Sequence, residues 1–101
     1  MAITRIPMHK IVQRHRDTRG SLTDWFAEDA MAFFNTKLPE SGLALGDRVA
    51  FVTRETGPSD RSGYSVRSFD WNTGAIDTVG EFCAYGRQEA NAAAREYLLT
   101  A

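Results

Sequence analysis

Four cations fall close together near the amino end, Lys10, Arg14, Arg16 and Arg19, and Arg61 and Arg67 follow in the second half. A guanidinium presents a planar fork of donors that matches phosphate and carboxylate, and arginine is enriched among the residues that anchor protein interfaces. Tyr64, Phe69 and Trp71 lie in the same stretch as the later arginines, and aromatic faces of this kind can stack nucleobases when they meet solvent. The chemistry within reach is therefore recognition of an anionic or macromolecular surface. Lys10, Arg14, Arg16, Arg19, Arg61 and Arg67 are the candidate binding residues, on the expectation that they are exposed.

Groups that would make or break bonds are scattered. His15-Arg16-Asp17 spells the catalytic-loop tripeptide of protein kinases, but that loop works only beside a glycine-rich strand, a strand lysine and a metal-binding Asp in a much larger chain. Phosphate-cradling glycine loops and the GxSxG nucleophile elbow are missing from the sequence. Asp24, Glu28 and Asp29 sit where the positive end of a helix dipole favours acids, which is ordinary first-turn chemistry. His9 and His15 are six apart with no carboxylate at a metal-binding spacing, and a zinc site needs three or four converging ligands. Cys83 is the single cysteine, set between aromatics as a small apolar group without a neighbouring cation to activate it. No catalytic residue, metal or cofactor is assigned on these grounds.

Composition agrees with a binding role but names no partner. The chain has 101 residues, 43% apolar, 25% charged and 11% aromatic, the profile of one globular domain. Twelve basic and thirteen acidic side chains leave a net charge of −1, so no whole-molecule field draws it to nucleic acid or to an anionic membrane. The charge is nevertheless segregated: five Lys and Arg against one Asp in residues 1–20, then four acids against one Lys in 21–40. A single cysteine and the lack of a long apolar run point to a reducing, cytoplasmic setting without membrane contact.

These residues need elements to hold them. Trp25, Phe26, Met31, Phe33 and Phe34 carry more apolar bulk than a short helix over about 26–36 can hide on itself, so that helix must pack on something larger. Whether Trp25 and Phe26 fill a core or an interface stays open at this level. Alternation from Arg48 to Glu55 and from Tyr64 to Trp71 predicts two strands. Asn72-Thr73-Gly74 predicts a hairpin turn into a third strand over 75–80. His9 to Arg14 is read as a further edge strand around Ile11 and Val12. Ala90, Ala93, Ala94, Tyr97 and Leu98 form one apolar stripe on a helix over about 88–99. The expected fold is α+β: a three- or four-stranded antiparallel sheet with the C-terminal helix across it and the first helix on an edge or the same face.

The run from Trp25 to Lys37, the pieces AFVTRE, YSVRSF and GAIDTVGEF, and the alanine-rich final helix together resemble a family of small phage and prophage proteins of unknown function. The resemblance covers about residues 18–99, its most specific pattern being WF-x-x-D-x-M-x-FF. It implies a mobile-element origin and brings no catalytic residue. Small α+β phage proteins include anti-CRISPR inhibitors, so the resemblance implies a non-enzymatic protein that binds a host protein or ribonucleoprotein, such as a CRISPR-Cas effector. Direct binding of nucleic acid is the alternative.

Overall fold

The computed structural model describes residues 2–23, 28–33, 35–56, 62–81 and 83–100. Strand β1 (Thr4–Pro7) leads directly into helix α1 (Met8–Arg19), and the short helix α2 (Glu28–Phe33) follows. Four strands come next, β2 (Ser41–Leu45), β3 (Arg48–Thr56), β4 (Ser62–Asp70) and β5 (Ile76–Val79), before helix α3 (Arg87–Thr100). The strands form one antiparallel sheet in the order β1-β2-β3-β4-β5.

The α+β class and antiparallel sheet agree with the sequence reading, but the described sheet has five strands where three or four were expected. The segment His9–Arg14 is corrected most. It lies in a helix, because Met8, Ile11, Val12 and His15 recur at helical spacing and His15 is as buried as the apolar members. The edge strand is the preceding Thr4–Pro7, paired to β2. Gly42 lies inside β2, opposite Ile6. A Cβ there would come within 2.9 Å of the Ala50 carbonyl oxygen and 3.0 Å of Ile11, so glycine lets α1 settle onto the sheet.

The two faces are covered by different helices. Met8 and Ile11 of α1 pack with Val49, Phe51, Phe69 and Ile76, and Met31 of α2 joins them. Ala90, Ala94 and Leu98 of α3 pack on Ala50 and Val66 from the other side. Met31 thus puts α2 on the α1 side of the sheet and not on the α3 side, which was one of the two places the sequence offered for this helix. Small alanines on both surfaces let α3 approach the sheet closely. At its far end the Arg48 guanidinium donates to the Tyr97 carbonyl at 2.8 Å and stacks 4.3 Å from the Tyr97 ring centroid, satisfying carbonyls that a helix end leaves open.

α1 is also fastened by His15. Its Nδ1–H donates to the Gly74 carbonyl at 2.8 Å, and its Nε2 accepts the Thr23 backbone N–H at 3.0 Å. One imidazole thus ties the helix to the β4–β5 turn and to the chain leaving α1. Gly74 takes the left-handed φ of 76° expected of that turn.

Candidate functional site

Antiparallel partners that stand directly opposite each other place their side chains on the same face. At the end of the sheet where α3 begins, Lys37 bridges Arg54, Arg54 pairs with Tyr64, and Tyr64 bridges Tyr85. Lys37, Arg54, Tyr64 and Tyr85 therefore form one row across the sheet, on the side facing α3. Lys37 and Arg54 exchange both backbone hydrogen bonds, at 2.8 and 3.1 Å, as do Tyr64 and Tyr85 at 3.0 and 3.3 Å. Arg54 and Tyr64 are consequently a non-hydrogen-bonded pair, the kind whose side chains approach more closely.

Helix α3 completes the row. Its first residue, Arg87, places its guanidinium 5.7 Å from the Tyr64 ring centroid, within cation–π range. Asn91 follows one turn later on the same helix face. A cavity of about 400 Å³ opens here, floored by Val52 and Tyr64 and rimmed by Lys37 and Arg54 on one side and by Arg87 and Asn91 on the other. A second cavity of about 230 Å³ adjoins it, sharing Lys37 and Arg54 and adding Asn35 and Thr56. Asn35 donates from Nδ2 to Thr56 Oγ1 at 2.7 Å. The described residues lining the two cavities include three cations and no Asp or Glu. Lys37, Arg54 and Arg87 are exposed and Tyr64 is half-buried, so the charges stand at the rim of an aromatic floor. The arrangement can hold an anion and, beside it, a flat apolar group.

The opposite face of the same strands carries a buried polar cluster. The Glu55 carboxylate meets the Arg67 guanidinium at 2.6 Å with both side chains sealed from solvent, at 0% and 1% exposure. Thr53 donates its hydroxyl to Glu55 at 2.5 Å, and Arg67 also donates to Thr53 and to Thr78. Each buried charge therefore has several partners, the condition under which such a pair is tolerated. Beside it the Cys83 backbone N–H donates to Ser65 Oγ at 2.7 Å, and its Sγ lies 3.8 Å from Glu55. Burial pushes the Cys83 thiol above its ordinary pKa, the Glu55 carboxylate adds to that, and Ser65 and Arg67 work the other way. A raised pKa keeps the thiol protonated and weakly nucleophilic. The cluster fixes β3 against β4 where Arg54 and Tyr64 emerge on the far side.

The expected binding residues are dispersed by the fold. Lys10, Arg16 and Arg19 are exposed on α1, on the face of the sheet away from the groove. Arg14 is half-buried, donating from Nε to the Trp71 carbonyl at 2.6 Å with its guanidinium 5.3 Å from the indole. Arg67 is the clear correction: period-two geometry turns it to the same side as Phe69, into the interior. Of the aromatics proposed for stacking, Phe69 is core and Trp71 lies under Arg14, while Tyr64 alone lines the groove. Arg61, Asp24, Trp25, Phe26, the side chains of Glu28 and Asp29, and the rest of residues 57–61 lie outside the described residues. His9 is exposed and His15 buried on α1; no group of three or more potential metal ligands gathers among the described residues.

Lys37, Arg54 and Arg87 were not among the expected site residues. Their proximity depends on the bridge between 37 and 54 and on where α3 starts, which no local pattern encodes. Tyr64 had the only legible signal, an aromatic on a strand between arginines.

No described helix is long and apolar enough to cross a membrane. A model for a family of unknown function (DUF7447) matches residues 8–96, reaching ten residues further toward the amino end than the resemblance drawn from the motifs and so taking in all of α1. Neither a curated protein nor a solved structure matches the chain.

Proposed function

The chain belongs to this family of unknown function, DUF7447, and from the groove we propose that it is a non-enzymatic binding protein that engages nucleic acid. The observation that carries the reading is the row Lys37–Arg54–Tyr64 under Arg87, with cations around an aromatic floor and no acid among the described lining residues. Lysine and arginine neutralise phosphates, and an aromatic among them serves a base. This favours the nucleic-acid alternative over the defence-complex expectation. Inhibition of a host defence ribonucleoprotein, the reading drawn from the phage resemblance, would use the same groove through the strand such a complex exposes. The non-enzymatic part is supported by how the reactive side chains are employed: His15 fastens a helix, Glu55 pairs with Arg67, and the Cys83 thiol is held protonated.

Fluorescence anisotropy with labelled single-stranded and duplex nucleic acid, at roughly 50 and 200 mM salt, tests the reading. Saturable binding that weakens steeply with salt is the expected result. Absence of binding to every form at the lower salt overturns it.

A further inference from the structure

The two adjoining cavities differ in character although they share Lys37 and Arg54. The smaller is lined by the polar residues Asn35, Lys37, Arg54 and Thr56, the first and last of them hydrogen-bonded to each other. The larger has Val52 and Tyr64 as its floor and Leu38 and Pro39 along one wall. A ligand that fills both must carry an anion at the shared middle and a flat, weakly polar group next to it. Building on the nucleic-acid reading above, we infer that the groove takes one unpaired nucleotide of a single strand.

The phosphate lies between Lys37 and Arg54, and the base lies on the Tyr64 ring. Arg87 is exposed at the first position of α3, and its guanidinium moves from the Tyr64 ring to the outer face of the base. Asn91, one turn further on the same helix face, offers an amide to the base edge. A base inside a duplex has both faces stacked on its neighbours and cannot reach a concave floor, so a duplex could meet only the rim cations. Every base has a π face, so the site accepts bases of any sequence, and what it requires is that they be unpaired. The strand, rather than a free mononucleotide, is the source, because the polar cavity beyond Arg54 continues the path of a backbone away from the base.

The probes are an oligothymidine strand of about twelve nucleotides, an abasic strand of equal length and charge, and a duplex of that length, each titrated with the intact protein. The inference expects the base-bearing strand to bind at least about tenfold more tightly than the abasic one, and more tightly than the duplex. Tyr64→Leu keeps an apolar floor and removes the π face, so it should bring the two single strands to similar affinity; Asn91→Ala, on the exposed helix surface, should weaken the base-bearing strand alone. Equal affinity for abasic and base-bearing strands in the wild-type protein, or a preference for the duplex, overturns the inference and leaves the groove as a phosphate site. Displacement of the strand by thymidine monophosphate at comparable concentration overturns the strand as the source. Failure of all three probes to bind overturns this inference together with the reading it rests on.

Discussion

Arg54 and Glu55 are adjacent in β3 and serve opposite faces of the sheet: Arg54 stands exposed beside Tyr64 in the groove, while Glu55 is sealed against Arg67 at 2.6 Å. Neighbouring strand residues point to opposite sides, so the two roles are coupled through a single stretch of backbone. The buried pair keeps β3 and β4 in register where the groove needs Arg54 and Tyr64 to be partners.

Removing one member of that pair should cost far more than removing both. Arg67→Met leaves a buried carboxylate and Glu55→Leu a buried guanidinium, each expected to lower stability by about 3–5 kcal/mol. The double variant should lose much less than the sum of the two. Urea unfolding of the four proteins as a double-mutant cycle gives the coupling directly, and additive losses would contradict the assigned pairing.

The imidazole of His15 joins three segments, so His15→Leu should keep the apolar contact of α1 while leaving the Thr23 N–H and Gly74 carbonyl without their partner. A loss of about 1–3 kcal/mol follows for such unsatisfied groups. Hydrogen exchange at the β4–β5 turn should accelerate more than exchange in α3, which packs on the other face.

The thiol of Cys83 is pushed above its ordinary value of 9.0, chiefly by burial and then by Glu55. A raised folded-state pKa contributes stability that is whole below the unfolded pKa and is lost as pH rises through the folded one. Wild-type protein should therefore weaken on passing above about pH 9 by more than Cys83→Ala does. Denaturant midpoints at neutral and alkaline pH read the difference. Alkylation by iodoacetamide at neutral pH should also be slower than for an ordinary free thiol.

Much of the architecture is legible in the sequence, and the departures from it have physical causes. β3, β4, the Asn72-Thr73-Gly74 turn and α3 were legible because their periodicity and turn chemistry are local. α1 was misread because Ile11-Val12 looks like a strand fragment and its buried face includes a histidine; Met8, Ile11, Val12 and His15 had the helical spacing all along. β2 was missed because Gly42 reads as a terminator, and only the approach of Ile11 explains it. Arg67 was placed outside on charge alone, although its parity with Phe69 already set it on the buried face. The groove was illegible for a different reason: Lys37, Arg54 and Arg87 are far apart in sequence and meet only through strand pairing and the entry of α3.

The central claim is that the cations around Tyr64, and not those on α1, form the binding surface. Its most direct test is the affinity of Arg54→Glu for a labelled single strand, set beside that of the double variant Arg16→Glu with Arg19→Glu, with folding of each checked by its unfolding midpoint. The groove variant should bind about tenfold more weakly or worse and lose about one unit of salt slope. The α1 variant should stay within about twofold of wild type apart from the general change in net charge. Undiminished binding by Arg54→Glu together with loss in the α1 variant would contradict the account and move the site to the opposite face of the sheet.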